Sequence, residues 1–380
     1  MDFELSEEQK MFQAMVRDFV VNEIEPHAAE WDESEKFPFD TVKKMAGIGL
    51  YSVGLPEKYG GSGDELTFAL ASEEISRGSG GLGISYIVSL GLAMYPILMH
   101  GNEEQKSKYI PRVINGATVS FGLTEAMAGS DVAGLETRYT REGDYFVLNG
   151  NKCFITSGAE ADFTTTFATR DKSLGYKGIS AFIVDKDTPG FSVGKIERKM
   201  GIHPTSATEL IFDNCKIPAA NLIGEEGKGF RIALEAIDAS RVSIAAQAVG
   251  IAQAAYDAAV AYAKERKQFG MELARMQAIQ FMIADMSTDL DAARMLTYRA
   301  AWLTAETGRS PLKEAAMAKL YASEASHRVC HRAMQIFGGY GYTKDFAVER
   351  FYRDQRITEI YEGTSEMQRM TIARQVTGVK

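Results

Sequence analysis

The chain has 380 residues, is 45% hydrophobic and 24% charged, and carries a net charge of −9. That length exceeds what one hydrophobic core usually organises, so two or three subdomains follow, and the acidic balance argues against nucleic acid as the main partner. Three cysteines without CxxC spacing, Cys153, Cys215 and Cys330, exclude a disulfide framework and point to a reducing compartment.

The first region, residues 1–117, reads as helical. The N-terminus is acidic and amphipathic, with no basic segment ahead of an apolar run, so no signal peptide and a cytoplasmic location are expected. Apolar residues recur at helical spacing in Met11, Met15, Phe19 and Val20, and again in Phe68, Ala69, Ala71 and Ile75. Ser6 is placed to cap the first helix, and Gly101-Asn102 marks a turn before EEQKSKYI. The apolar run over residues 82–99 is broken by Gly83, Gly91 and Pro96 and carries Ser85 and Ser89, so no membrane span is read. Residues 78–83 spell a GxGxxG, yet LTFALASEEISR before it is helical. A phosphate-binding turn needs a strand there, so the motif reads as a loop between two helices.

The texture changes over residues 118–224. TTTFATRD, GISAFIVDKDTPGF and TELIFDNCKIP are β-branched or aromatic runs punctuated by turn residues, including Thr188-Pro189-Gly190 and Pro218. They predict a small, mostly antiparallel β domain. Two loops here, FGLTEAMAGSDVAG (121–134) and GNKCFITSGAEAD (150–162), mix Gly with hydroxyls and acids. That is the profile of a loop that approaches a ligand closely, and also of an ordinary turn.

Residues 225–380 are helical again. Ala-rich and Met-rich amphipathic segments run over 230–265, 273–307 and 312–337, with a shorter one after Ser365. They predict a bundle whose Ala and Met faces are core or oligomer interface. His327 and His331 share a helix face with Cys330, but Arg328 and Arg332 flank them and no acid lies between, so no metal site is read. Further on, the helix stops at Gly338-Gly339 in QIFGGYGYTKDFAVERFYRD (335–354), and a mixed aromatic and charged stretch follows. The last motif is EIYEGTSEMQRM (359–370), where Ser365 and Gln368 have capping-box spacing. Glu362 stands just before that helix start. It is either a carboxylate matched to the helix dipole or a general base on a tight turn. No GxSxG and no P-loop occurs, so serine-nucleophile chemistry has no support.

Taken in order, LSEEQ, GNEEQKSKYIPRV, LTEAMAGSD, LNGNKCFITSG, ERKQFG, QIFGGYGY, ERFYRD and YEGTS resemble the acyl-CoA dehydrogenases, in their short-chain, butyryl-CoA-dehydrogenase-like form, over nearly the whole chain. The resemblance implies an α+β fold: an N-terminal helical domain (1–117), a middle β-barrel domain (118–224) and a C-terminal four-helix bundle (225–380). It also implies FAD, an acyl-CoA substrate, a homotetramer and an electron-transfer flavoprotein as acceptor. By position, Phe121, Leu123 and Thr124 would border the flavin ring, with Ser130 near its pyrophosphate or the CoA. Thr156 would reach the flavin beside Phe154, and Thr364 would lie near the flavin or its adenosine half. Arg266, Gln268 and Phe269, with Gln335 and Gly339, would be supplied to a neighbouring subunit's FAD, a role suited to a guanidinium facing phosphate. Asp238 and Arg241 would hold the CoA moiety, and Tyr86, Leu90, Tyr361 and Gly363 would line the substrate site.

The implied chemistry is α,β-desaturation: a base takes the α-proton while the β-carbon gives hydride to flavin N5, with donors at the thioester oxygen. Glu362 matches that base, and burial by substrate is expected to raise its pKa. Some members carry the base on the helix that here has Ala239-Ser240-Arg241, and Ser240 cannot serve. Two positions depart from the family pattern: Ala126 where Pro is usual, and Phe154 where Trp is usual. No Arg or Lys lies between Gly78 and Gln105, so a neutral acyl group is expected, since a carboxylate buried there would be unpaired. The bulk of Tyr86, Leu90 and Tyr95 hints at a short, branched or cyclic chain. The same fold running as an enoyl-CoA reductase or acyl-CoA oxidase, or as a non-enzymatic assembly protein, is the alternative.

Overall fold

The computed structural model describes residues 4–379. Its N-terminal part contains α1 (Glu7–Phe19), α2 (Ala28–Ser34), α3 (Phe39–Gly47), α4 (Glu65–Gly78), α5 (Gly80–Ile87), α6 (Tyr95–His100) and α7 (Glu103–Ile114). The cap expected at Ser6 forms, and the turn expected at Gly101-Asn102 also caps a helix. Ser6 and Gln9 make a reciprocal capping box on α1, and Asn102 and Gln105 make one on α7. The stretch at residues 78–83 is not a loop. Ser79 alone breaks the backbone and accepts from Leu82 N at 3.3 Å, so α5 starts at Gly80. The glycines serve packing: a Cβ on Gly81 would lie 2.7 Å from Pro204, and one on Gly83 would lie 2.2 Å from Ser76. The expected breaks at Gly83 and Gly91 do not end the helical run either. The stretch Gly80–His100 is long and apolar enough to cross a membrane, and 78% of its most apolar window is buried inside the protein.

The middle part is a sheet of eight strands. They are β1 (Val119–Gly122), β2 (Arg138–Glu142), β3 (Tyr145–Thr156), β4 (Phe163–Thr169), β5 (Ile179–Asp185), β6 (Phe191–Ile196), β7 (Ala207–Pro218) and β8 (Leu222–Ile223). Most neighbours are antiparallel, in the order β6-β7-β3-β2-β4-β5-β8, and β1 pairs in parallel with β4. The barrel expected here is not closed. The path ends at β6 and β8, which do not pair, and β8 is too short at 2 residues to extend the ladder. β1 and β2 both pair with β4 at different heights, which branches the sheet rather than closing it. One face holds Tyr139, Phe146, Phe182 and Phe212; the other packs on the N-terminal helices through Phe163 and Phe167. Three hydroxyl-mediated hydrogen bonds join the α5 run to the sheet. Ser157 Oγ bonds Ser85 Oγ at 3.0 Å, Ser89 Oγ accepts from Val119 N at 3.1 Å, and Thr165 Oγ1 donates to Ala93 O at 2.8 Å.

The C-terminal part follows the predicted segments closely. α8 is Gly229–Glu265, α9 Gln277–Thr307 and α10 Leu312–Phe337; α11 (Val348–Gln355) and α12 (Ser365–Thr377) complete it. A short hairpin, β9 (Lys267–Gln268) and β10 (Met271–Glu272), joins α8 to α9. Small residues on α8, among them Ala245, Ala248, Ala252 and Ala255, are buried and let α4, α9 and α10 pack closely. The tightest approach is at Gly250, where a Cβ would sit 2.1 Å from Glu73 O of α4. A backbone oxygen cannot swing aside, so Gly250→Ala must push two helices apart. It is expected to destabilise the protein by about 1–3 kcal/mol in chemical denaturation; an unchanged midpoint would contradict this packing.

Candidate active site

The site is built around a turn that the helix rules forbid to continue. After the 3₁₀ turn at Arg356–Glu359, Glu362 and Gly363 adopt φ of 50° and 93°, two successive left-handed residues. Gly does this freely, whereas for Glu it is strained by roughly 1–2 kcal/mol. The helix that follows is capped by Thr364, which accepts from Met367 N at 3.4 Å. This corrects the capping box expected at Ser365 and Gln368: Ser365 is already the first helical residue. The side chain of Gln368 instead folds back over the turn and donates to Gly363 O at 2.9 Å.

Glu362 is half-buried, at the meeting of α8, α10 and the turn. Its Oε2 accepts a hydrogen bond from Ser240 Oγ of α8, which also lies 3.0 Å from Ile237 O. Loss of hydration pushes the Glu362 pKa up to about 7; the Ser240 bond and the charges of Lys319 and Arg241 pull against that rise. Ser240 thus touches the carboxylate whose role it cannot fill. No local pattern marks that contact, because 122 positions separate the two residues. Arg241 is buried and pairs with Asp238 Oδ1 at 2.8 Å. Its Nε and Nη1 are buried without a partner, so donors are left for a ligand beside Glu362. Burial raises the Asp238 pKa, and Asp238 O accepts from Ser310 Oγ at 2.9 Å. Tyr361 donates to Gln247 Oε1, and Gln247 Nε2 donates to Gly80 O at 2.9 Å, which ties the turn to α5. Gln247 was missed from sequence because it sits inside a long Ala-rich helix.

A second cluster forms where β1 runs out. Phe121 packs edge-on against Phe167 at 5.0 Å, and Leu123 is buried. Glu125 and Ala128 pair across the two-residue tip Ala126-Met127. Ala126 occupies the position where Pro is favoured in such turns, so its departure removes rigidity without changing the shape. Thr124 O accepts from Cys153 N at 2.9 Å, which holds this loop against β3. A register shift in the β3–β7 ladder between Lys152 and Ile155 leaves Phe154 at φ 57° and 64% exposed, with Thr156 two residues on at the strand end. The bulge re-aims the aromatic ring outward. Behind it, fully buried Lys152 donates to Glu125 Oε1 at 2.6 Å and to Leu123 O at 3.3 Å, and Glu125 accepts from Thr137 N at 3.0 Å. This buried pair is the hinge pin of both loops. Ser130 is exposed further along the same loop.

The third cluster is a pocket of about 540 Å³ that includes Arg266, Gln268, Gln335 and Gly339. Arg266 lies over the Tyr340 ring, 5.6 Å from its centroid. In the β9–β10 hairpin, Phe269 and Gly270 both have positive φ, 52° and 79°, as a type I′ turn requires. Phe269 is strained there and 91% exposed, an outward aromatic with nothing of its own chain to cover it. Two expected substrate residues behave differently. Tyr86 is fully buried, its hydroxyl given to Leu50 O at 2.9 Å and its ring packed on Tyr51 and Phe68. That is a core position and not a lining one. Leu90 is 4% exposed, inside the wide helical turn Val88–Leu92.

These features fit FAD: an aromatic and aliphatic wall with hydroxyls at residues 121–124 and 154–156, and a guanidinium-bearing pocket open to phosphate. The family descriptions "Acyl-CoA dehydrogenase, N-terminal domain", "middle domain" and "C-terminal domain" match residues 6–117, 120–215 and 227–377. A relative named short-chain specific acyl-CoA dehydrogenase, from Clostridium acetobutylicum, is 47% identical over 378 residues, 99% of this chain and 100% of the relative. An acryloyl-CoA reductase (NADH) from Anaerotignum propionicum is 48% identical, covering 99% of this chain and 96% of the relative. A chain in a structure described as the electron transferring flavoprotein of Acidaminococcus fermentans is 46% identical. It superposes with a TM-score of 0.97 over 99% of this chain and all of that one.

Lys152→Met should leave the Glu125 carboxylate buried without its cation. The expected loss is about 3–5 kcal/mol in chemical denaturation, with weaker retention of FAD through gel filtration. Unchanged stability and retention would contradict the pinning role.

Proposed function

The chain belongs to the acyl-CoA dehydrogenase family, and we propose that it desaturates a neutral short-chain acyl-CoA between the α and β carbons, with Glu362 as the base. FAD is the cofactor of the family. Bound FAD supplies the two-electron acceptor for the β-hydrogen and its electrons.

The observation that carries the reading is the Glu362 turn itself. A strained, desolvated carboxylate beside unpartnered buried donors is expensive to keep, and such sites are typically functional. Glu362 Oε takes the α-proton as the α C–H bond breaks, and the electron pair moves onto the acyl chain toward the thioester carbonyl. The Glu362 N–H is proposed as a donor to the thioester oxygen, where charge builds. Ser240 Oγ holds the carboxylate in place, and Arg241 and Asp238 border the CoA. With a pKa of about 7, Glu362 is ionised often enough at neutral pH to act and basic enough to accept a carbon acid's proton. Absence of Arg and Lys from residues 78–105 supports a neutral acyl group, and bulky Leu90 and Tyr95 favour a short, branched or alicyclic one. The Arg266 pocket and exposed Phe269 support a homotetramer in which one subunit completes another's FAD site. Likeness to the chain from the Acidaminococcus structure supports an electron-transfer flavoprotein as acceptor.

The reverse direction, enoyl-CoA reduction, is favoured by one observation, the equal identity to an acryloyl-CoA reductase. Glu362 would then give its proton to the α-carbon, which the same pKa permits.

Glu362→Gln should keep FAD and bind butyryl-CoA, yet bleach the flavin at least about 10³-fold more slowly under anaerobic conditions. Reduction at the native rate would sink the assignment of the base. Anaerobic reoxidation of the reduced protein by crotonyl-CoA, faster than its reduction by butyryl-CoA, would favour the reductase direction.

A further inference from the structure

Lys319 lies in the middle of α10 and has no exposed surface. Its Nζ donates to Gly363 O at 2.7 Å, directly behind the catalytic turn. Satisfying that carbonyl does not explain a lysine. Gln368 Nε2 already donates to the same oxygen at 2.9 Å, and the amide carries no charge. An ammonium buried without a directly bonded counter-ion is costly by several kcal/mol, and an uncharged donor of similar length would avoid that. The charge itself therefore has a use, and Glu362, the residue before Gly363, carries the opposite charge that acts on it through space.

We propose that Lys319 is a positioning residue for the base: its ammonium fixes the Gly363 carbonyl, locks the left-handed Glu362–Gly363 turn, and holds the Glu362 carboxylate in its ionised form. The proposal rests on the reading of Glu362 as the base. The charged groups around the pair are few. Arg241 reaches Glu362 from α8; Glu359 precedes the turn and Glu366 follows it in α12. Burial pushes the Lys319 pKa down to about 8, with Glu362, Glu359 and Glu366 opposing and Arg241 adding to the fall. Both partners are thus held near neutrality, and each depends on the other's charge. Arg241 also acts on Glu362 through space, but it is paired with Asp238 and, among the described residues, makes no hydrogen bond to the Gly363 carbonyl. The sequence hid this residue, since a single Lys in AAMAKLYASE looks like any solvent-facing helix position.

The test reads the carboxyl group directly. In the FAD-loaded protein, the infrared carboxylic C=O band that is lost in Glu362→Gln should titrate near pH 7. In Lys319→Met its midpoint should move about one pH unit to the alkaline side. Flavin reduction by butyryl-CoA at pH 7 should then slow about fivefold and recover at alkaline pH. Lys319→Gln keeps a donor for Gly363 O and removes only the charge, so it should shift the band similarly and decides the matter if the Met variant does not fold. Lys319→Arg should keep the midpoint. An unmoved midpoint in a folded neutral variant overturns the proposal. Failure of the base reading is separate: Glu362→Gln would then still reduce the flavin, whatever Lys319 does.

Discussion

Much of this molecule is arranged around one unfavourable fact: a carboxylate held on a strained turn with little water. Left alone, Glu362 would relax its backbone or swing into solvent. Three sets of contacts prevent this. Ser240 of α8 grips the carboxylate, Lys319 of α10 and Gln368 of α12 grip the carbonyl of Gly363, and Tyr361 is tied through Gln247 to α5. The long helices give the rigidity that such a turn needs, because side chains on packed helices are positioned more tightly than those on loops. Small residues along α8 allow the helices to come close enough for the grips to meet.

The middle sheet serves the same end from the other side. Its core faces are ordinary, but its β1 end and its bulge in β3 bring Phe121, Leu123, Thr124, Phe154 and Thr156 into two adjoining loops. The Lys152–Glu125 pair fixes those loops at the cost of two buried charges. Lys152 and Lys319 are both fully buried lysines that donate to loop carbonyls. Each stands directly behind a segment that is proposed to face ligand. The protein spends stability on precise loop geometry rather than on a larger core.

Much of this was legible in the sequence. Residues 230–265 and 312–337 announced their helices by Ala and Met periodicity and clean Gly or Pro borders, and α8 and α10 fall there. Ser6 announced its cap, and Gly101-Asn102 announced the turn before α7. What misled were local signals with a tertiary answer. Four glycines over residues 78–83 suggested a loop, yet Gly81 and Gly83 are needed for close contact with Pro204 and Ser76. Ser365 fitted the spacing of a cap, but Thr364 takes that place and frees Gln368 for the turn. Barrel closure depends on the pairing of distant edges, which strand patterns do not encode, and here those edges stay open. The contacts of Ser240, Gln247 and Lys319 span long stretches of chain, so no window of sequence could show them.

The most direct test of the central claim is the pH dependence of the second-order rate constant for anaerobic flavin reduction by butyryl-CoA, from about pH 5.5 to about 8.5. Below its pKa Glu362 is protonated and cannot accept the α-proton; above it, the carboxylate is free to act. The constant is predicted to rise with pH through a single ionisation near 7 and then level off. A profile that is flat across this range, or that falls as pH rises through 7, would contradict a desolvated Glu362 as the base.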